Sequence, residues 1–221
     1  MERILFAWSG GKDSALALYT LLQEGSWEVA GLLTTVTEGY QRISMHGVRL
    51  ELLQQQAEAL GLPLELVWIP QHCDNGEYER RMQEVLERYL SQGVHAVAFG
   101  DIHLEEVRSY RERNLARLDM GAIFPLWGKA PAELVRRFIA LGFRAVITCV
   151  DTAMLGREFA GREIDAQLLA ELPAGVGPCA ENGEFHSFVY AGPIFRRPIA
   201  FTRGEKILRE NRFFYCDLLP A

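Results

Sequence analysis

The sequence predicts an α/β protein built on a doubly wound parallel sheet, with a smaller substrate region at the C-terminal end. Short apolar runs alternate with amphipathic helical patterns as far as Asp151, and parallel strands need such helical crossovers between them. After Asp151 the alternation stops, and a Gly- and Pro-rich stretch precedes strand-like segments. We therefore expect an N-terminal domain over residues 1–125 and a C-terminal region over 126–221.

The first repeats of this pattern are short and regular. A continuous apolar run predicts a buried strand over Ile4–Trp8, and leucines at helical spacing predict a helix over Ser14–Glu24 that ends at Gly25. The segments that follow are, in chain order, a strand over Trp27–Val36, a helix that stops at Gly61, the strand LELVWI, a helix over Asn75–Gly93 and the strand VHAVAFGD.

A further round of the same sheet is predicted from Pro131, a good first helical residue, into the strand RAVITCV. Beyond Asp151 we expect one helix near Glu163–Glu171 and the strand FHSFVY. The last segment alternates well enough for antiparallel strands joined near Gly204 or Asn211.

Composition places the chain in the ordinary folded class, with 49% hydrophobic and 24% charged residues and a mean hydropathy of -0.01. The net charge of -6 and the lack of a basic run disfavour a nonspecific grip on nucleic acid. The four cysteines lack CxxC or zinc-finger spacing and predict reduced thiols. No signal peptide or membrane span is recognisable, so a cytoplasmic protein is expected.

The segment WSGGKDSA lies at the first strand-to-helix junction and carries more polar groups than a helix cap needs. Backbone amides at such a turn converge on one space, and the helix N-terminus adds about half a positive charge, so the turn suits phosphate. Glycine permits close approach of the ligand, Lys12 adds a cation, and Asp13 caps the helix or holds magnesium. The predicted phosphate-binding residues are Ser9, Gly10, Gly11, Lys12, Asp13 and Ser14. A Walker A loop is excluded because Phe6 and Asp13 stand where it requires Gly and Ser or Thr.

This turn resembles the PP-loop, SGGxDS directly after the first strand, of the ATP pyrophosphatases, which cleave ATP between its α and β phosphates. Nearly the whole chain is similar to the diphthine-ammonia ligase family, through SMHGV, GD, YRER and PLWG in order, and above all through CAENGEFHSFVYAGPIF. Two positions depart from the pattern: the family usually has Tyr-Gln at Tyr110-Arg111, and Gly at Ala180.

The resemblance implies an adenine nucleotide alpha hydrolase-like fold and an amide-forming ligase. Such an enzyme activates the carboxylate of diphthine on elongation factor two as an acyl adenylate, and ammonia then displaces AMP. ATP, with Mg²⁺ carried by the phosphates, and free ammonia are the implied small partners, and a homodimer is left open. The departures leave a small-metabolite acceptor open as well.

Roles for individual residues follow from the resemblance. Lys12 would steady charge on the departing pyrophosphate, and the strand-end backbone would meet adenine. The further nucleotide-binding residues are Leu33, Thr34, Thr35, His46 and Gly100. Asp101 would reach magnesium or ribose, or would merely cap the next helix.

Two further groups are assigned to the acceptor and to proton transfer. Glu184 or His186 would accept a proton from ammonia. Substrate binding is assigned to Tyr110, Arg111, Arg113, Glu181, Asn182, Glu184 and Phe185. The alternatives are a solvated helix face for the arginines, and a plain turn closed by Asn182-Gly183 with solvated carboxylates and a packed His186.

Two rival functions remain from the sequence. A tRNA-modifying pyrophosphatase is disfavoured by the acidic charge and would show salt-dependent RNA binding. A nucleotide sensor would hold ATP without turning it over.

Overall fold

The computed structural model describes residues 1–39, 42–43 and 46–221. The strands are, in chain order, β1 Glu2–Ala7, β2 Trp27–Thr37, β3 Arg42–Ile43, β4 Leu64–Ile69, β5 Val94–Ala98, β6 Gly121–Ile123, β7 Arg144–Asp151, β8 Phe185–Ala191, β9 Phe201–Arg209 and β10 Phe213–Pro220. The helices are α1 Lys12–Glu24, α2 Leu50–Leu60, α3 Asn75–Leu90, α4 Glu105–Ala116, α5 Pro131–Ala140 and α6 Ala166–Glu171, with a 3₁₀ turn over Arg157–Phe159.

The first sheet is parallel, with the strand order β4-β2-β1-β5-β6. Leu32 and Leu33 of β2 pair with both β1 and β4, so these two strands lie on opposite sides of β2. The short β3 runs antiparallel to the end of β2. The chain thus winds outward from β1 in both directions, which confirms the predicted doubly wound sheet. The switch of direction falls between β1 and β5, where such sheets bind ligands beyond their carboxyl ends.

Helices cover both faces of this sheet and end where the sequence indicates. Gly25 and Gly61 adopt left-handed conformations, with φ of 66° and 69°, and close α1 and α2. The Asp74 side chain accepts from the Glu77 N–H at 2.8 Å and opens α3. Leu86 of α3 and Leu115 of α4 belong to the buried cluster on one face, whereas α1 and α2 contribute to the cluster on the other.

The second sheet is antiparallel in the order β8-β7-β10-β9. The expectation that RAVITCV continues the parallel sheet is therefore wrong, since β7 lies inside the second sheet. A helix followed by a wholly apolar strand looks the same in both settings, because a central strand of either sheet is buried on both faces. Here β7 is buried at every position after Arg144.

Two details of the C-terminal region also differ from expectation. Gly204 lies within β9, so it is not the turn; the strands join at Glu210 and Asn211, with φ of 50° and 51°, as the Asn211 alternative predicts. Helix α6 begins only at Ala166, because Asp165 caps it by accepting from the Leu168 N–H at 2.7 Å.

The two sheets share one buried hydrophobic cluster, which includes Phe6 of β1 and Phe188 of β8. The N–H of Val189 donates to the carbonyl oxygen of Gly10 at 2.9 Å. The second sheet therefore packs directly on the turn between β1 and α1. Among the helices in the described part of the chain, none has the length and apolar character needed to cross a membrane.

Candidate active site

A cavity of about 420 Å³ opens at the carboxyl ends of β1, β2 and β5, at the switch point of the first sheet. Its volume lies in the range of small-molecule and cofactor sites. The sequence-predicted residues in its wall are Ser9, Asp13, Ser14, Leu33, Thr34, Thr35, His46, Gly100, Asp101, Tyr110, Arg111 and His186. The predicted residues that do not line it are Gly10, Gly11, Lys12, Arg113, Glu181, Asn182, Glu184 and Phe185.

The turn between β1 and α1 is held from behind by a side chain that sequence reasoning missed. Gln56 of α2 is fully buried; its amide nitrogen donates to the carbonyl oxygens of Gly10 at 3.0 Å and Val189 at 2.6 Å. Its amide oxygen accepts the Trp8 indole N–H at 3.0 Å. The available signal was a polar residue at helical spacing from Leu52 and Leu53 on the apolar face of α2.

The amides of the turn point towards hydroxyl acceptors. The Gly11 N–H donates to the Ser9 hydroxyl at 3.3 Å, and the Lys12 N–H donates to the Ser187 hydroxyl of β8 at 3.1 Å. Gly10 has φ of 75°, the left-handed region that favours glycine, and a Cβ there would lie 2.6 Å from the Gln56 amide oxygen. Backbone donors at a helix N-terminus are groups that can bind an anion, and phosphate binding by this turn stays a prediction of the sequence.

The end of β5 approaches this turn so closely that only glycine fits. A Cβ on Gly100 would lie 2.9 Å from the backbone nitrogen of Ser14. The next residue, Asp101, pairs with Arg111 of α4 at 2.7 Å, and the Arg111 guanidinium lies 4.3 Å from the centre of the Phe99 ring. The helix-cap alternative for Asp101 is wrong, because α4 begins after Leu104 without a side-chain cap.

Lys12 is buried and does not line the cavity. Its ammonium lies 2.7 Å from the Asp13 carboxylate, donates to the carbonyl oxygen of Cys179 and lies 5.6 Å from the centre of the Phe185 ring. Burial opposes its charge, but Asp13 and the neighbouring groups outweigh that effect, so the pKa of Lys12 is raised and it stays cationic. Burial raises the pKa of Asp13. Lys12 therefore supplies charge from beneath the turn and anchors the segment around Cys179.

The segment 177–184 is organised by a buried carboxylate. Glu184 is fully buried and accepts from the N–H groups of Gly177 at 3.2 Å and Asn182 at 3.0 Å, and from the Asn182 side-chain amide at 3.1 Å. Burial alone would raise the pKa of Glu184, but these hydrogen bonds hold it below the usual value. Glu184 is thus neither solvated nor part of the cavity wall, and its hydrogen bonds fix the shape of its own segment.

Ala180 of the same segment has φ of 54°, in the left-handed region. That conformation strains a residue with a Cβ and suits glycine. The departure from the family's Gly at this position is therefore a strained backbone site.

Glu181 lies beside Asp13 rather than in solvent. Potential ligand atoms of Asp13, Cys179 and Glu181 lie within 4.8 Å of one another. Lys12 already neutralises Asp13. The Cys179 thiol donates to the carbonyl oxygen of Pro131 at 3.1 Å, and burial raises its pKa to about 12. We therefore assign no metal ion to this group.

Two histidines meet at the cavity wall. The rings of His46 and His186 lie 4.7 Å apart, and His46 Nδ1 lies 3.3 Å from the carbonyl oxygen of Ser187. Burial lowers the pKa of His46 to about 4; burial, then the charges of His46 and Lys12, lower the pKa of His186 to about 3. A base this weak does not suit the predicted proton-accepting role of His186 near pH 7. The flanking Ser44 and Met45 of the SMHGV motif lie outside the described residues.

The remaining wall of the cavity is apolar and comes from α3 and α4. Met82 and Leu86 of α3, Val97 of β5 and Leu115 of α4 form a lobe that the sequence did not predict as part of the site. Tyr110 and Arg111 lie at its edge, whereas Arg113 is exposed on the same helix. Such a lobe beside converging donors suits a ligand with an anionic tail and a flat apolar ring.

A convergent amide turn at the switch point of a doubly wound sheet defines the class as α/β nucleotide-binding proteins. The particular family follows from comparison with known proteins. The model described as "Diphthamide synthase N-terminal domain" matches residues 2–121, and "Diphthamide synthase C-terminal domain" matches residues 130–218. The chain belongs to the diphthamide synthase family.

Curated relatives carry a consistent name. Proteins named diphthine–ammonia ligase are 26% identical in Mus musculus, over 93% of this chain and 85% of the relative, and 25% identical in Danio rerio, over 96% and 91%. In Schizosaccharomyces pombe the identity is 26% over 93% of this chain and 37% of a longer protein. The family expected from the sequence motifs is thereby confirmed.

Proposed function

We propose that this protein is an ATP-dependent carboxylate–ammonia ligase. It activates a carboxylate as an acyl adenylate with release of pyrophosphate, and ammonia then displaces AMP to form an amide. The observation that carries the proposal is the turn between β1 and α1, where Ser9, Asp13 and Ser14 line the cavity at the start of a helix, with amide donors in the turn and the buried Lys12 behind it. Relatives named diphthine–ammonia ligase support the same reaction.

The proposed nucleotide position follows from the two halves of the cavity. The triphosphate lies over residues 9–14, where its oxygens replace the Ser9 and Ser187 hydroxyls as acceptors for the turn amides. The adenosine lies against the strand end at 33–35 and the apolar lobe between α3 and α4. Gly100 lets the segment after β5 lie directly against the start of α1 between these two halves, because a side chain there would push Ser14 away.

We propose that magnesium enters the cavity already bound to the phosphates of ATP. In the described residues, the carboxylates of Asp13 and Asp101 at the cavity edge are each paired with a cation, Lys12 or Arg111. That donor set does not form a dedicated cage, but it fits an ion that keeps most of its ligands as phosphate oxygens and water. Bound there, Mg²⁺ would neutralise phosphate charge while the turn amides orient the chain of phosphates.

The acceptor carboxylate is proposed to lie near Arg111 and Tyr110. Arg111 is held on the Phe99 ring and paired with Asp101 at the cavity wall, so an incoming anion meets a fixed guanidinium. We propose diphthine on elongation factor two as this acceptor, in the cytoplasm, with a small-metabolite carboxylate as the alternative.

The test is incubation with ATP, ammonium and elongation factor two carrying diphthine, with the acceptor read by mass spectrometry. Conversion of the acid to the amide, with AMP and pyrophosphate formed in step, supports the proposal. Lys12→Ala should lower AMP release by roughly 100-fold or more, the range for removing a charge-stabilising group. Arg136→Ala, at an exposed position on α5, is the matched control. Formation of ADP and orthophosphate, or ATP bound without turnover, would contradict the proposal.

A further inference from the structure

Glu181 and His103 form a pair that runs from the neighbourhood of Asp13, a residue of the cavity wall, to solvent. His103 follows β5, and Glu181 belongs to the segment before β8; His103 Nδ1 lies 3.4 Å from Glu181 Oε2. The Glu181 side chain is 11% exposed, whereas that of His103 is 46% exposed. The pair therefore has one buried end, beside Asp13, and one end in water.

The surroundings of Glu181 carry an excess of negative charge. The titratable groups that face it are Lys12 and Asp13 of α1, Asp101 and His103 after β5, and Cys179 and Glu184 of its own segment. Lys12 is bound to Asp13, and Arg111 is bound to Asp101, which leaves the carboxylates of Glu181 and Glu184 as the excess negative charge of this set. Such an environment favours a small cation beside Glu181. Burial, then the charge of Asp13, raises the pKa of Glu181 to about 7.

We infer that Glu181 takes the proton from the incoming ammonium ion and that His103 passes it to solvent, an inference that rests on the proposed ligase function. Ammonium predominates near pH 7 and has no lone pair, so it cannot attack the acyl adenylate until it loses a proton. A group that holds a proton about half of the time at that pH can both accept and release it.

The step balances in atoms and charge. Ammonium gives one proton to the Glu181 carboxylate and becomes ammonia. The nitrogen lone pair then forms the C–N bond to the acyl carbon, and the C–O bond to AMP breaks, with its electron pair leaving on the AMP phosphate. The new C–NH₃⁺ group loses a second proton by the same route, once His103 has carried the first to water.

The other basic groups near the cavity are less suited to this step. The pKa values of about 4 and 3 leave His46 and His186 as weak bases. Glu184 is occupied by three hydrogen bonds within its own segment. Asp13 is held by Lys12 at 2.7 Å. Among the described carboxylates of this group, Glu181 is the one that contacts an exposed histidine, His103, which can pass the proton to water.

The deciding experiment compares two nucleophiles in the variant Glu181→Gln. Adenylation is followed separately, by exchange of labelled pyrophosphate into ATP with the acceptor present and ammonium absent. We expect exchange to stay within about threefold of the unchanged protein, and amide formation from ammonium to fall by roughly 100-fold or more. Hydroxylamine, which is already neutral at pH 7, should lose about tenfold or less. Glu133→Gln, exposed on α5, is the control and should change neither rate.

His103→Ala gives a second readout, because a relay residue acts through Glu181. Amide formation from ammonium should fall by about tenfold, with a changed pH profile and with pyrophosphate exchange intact. His103→Gln should not restore the profile, since glutamine cannot carry the proton. Equal losses with both nucleophiles in Glu181→Gln, or an unchanged ammonium rate, would overturn the inference alone. Failure of the unchanged protein to exchange pyrophosphate would overturn the proposed function and this inference with it.

Discussion

The side-chain amide of Gln56, on α2, donates to the carbonyl oxygen of Gly10 at 3.0 Å and so fixes the turn between β1 and α1. The same side chain also bonds Trp8 and Val189. One buried amide thus joins α2, the segment just after β1, and β8 at the turn that we propose binds the nucleotide.

Replacing Gln56 tests whether this amide holds the turn in place. Gln56→Ala leaves the Trp8 indole N–H and the Gly10 and Val189 carbonyls without this partner, and each buried loss costs about 1 to 3 kcal/mol. We expect a fall of about 3 kcal/mol or more in the free energy of unfolding, measured by urea denaturation. The KM for ATP should also rise. Gln54→Ala, at an exposed position on the same helix, should change the free energy of unfolding by no more than about 0.5 kcal/mol and leave the KM for ATP unchanged. An unchanged unfolding curve for Gln56→Ala would contradict the role of this amide.

The strained backbone at Ala180 predicts a stabilising substitution. Ala180→Gly removes the Cβ from a position with φ of 54°, and should raise the free energy of unfolding by up to about 1 kcal/mol. Ala116→Gly, at an exposed position in α4, is the control with the opposite sign and should cost about 0.5 to 1 kcal/mol. Thermal unfolding of both variants measures the difference. A destabilised Ala180→Gly variant would show that this backbone is not strained.

Arg111 tests where the acceptor carboxylate lies. Arg111→Gln, the residue usual in the family, removes the cation paired with Asp101 and stacked on Phe99. We expect the KM for an anionic acceptor to rise about tenfold in the pyrophosphate-exchange assay, a loss of roughly 1.4 kcal/mol, while the KM for ATP changes little. Arg117→Gln, exposed just beyond the same helix, should leave both values unchanged. A shift confined to the KM for ATP would place Arg111 at the nucleotide instead.

The paired histidines predict a loss of stability in mild acid. The pKa values of His46 and His186 lie at about 4 and about 3, below the ordinary value of 6.5, so the unfolded chain binds more protons than the folded one. Their contribution is present above pH 6.5 and is lost as the pH falls towards 4 and 3. The melting temperature should therefore fall as the pH is lowered from 6.5 to 3. The melting temperature of the double variant His46→Gln, His186→Gln should fall less steeply over the same range. Equal slopes would rule out the histidines as the cause.

Local signals in the sequence were enough to single out the turn that we propose binds the nucleotide. Ser9–Ser14 form a chemical pattern that follows a buried strand directly, and Gly100 and Asp101 end a second strand that parallel topology brings to the same edge. Contacts between distant segments were not predictable in this way. Ser187 reaches the Lys12 amide only because the second sheet packs on the turn, and nothing in its neighbourhood on the chain indicates that contact. The polarity of Gln56 becomes informative only once α2 is known to be buried there.

The assignment of β7 failed for a related reason. Residues 144–151 are apolar because strands lie on both sides of them, and this burial pattern is the same in a parallel and an antiparallel sheet. The segment 177–184 likewise has the polar density of a ligand site, yet Glu184 uses its oxygens to shape that segment. Residue type predicted where polar groups gather, but only the fold separates those that face a ligand from those that support it.

The bond from Val189 to Gly10 joins the strand that carries Ser187 and His186 to the strand-end turn, with no flexible element between them. Evolution of a new acceptor preference through β8 is thereby constrained, since displacing that strand would also displace the turn that we propose binds phosphate. Diversification among such ligases would be easier on the exposed face of α4, where a side chain can change without moving the backbone beneath the nucleotide.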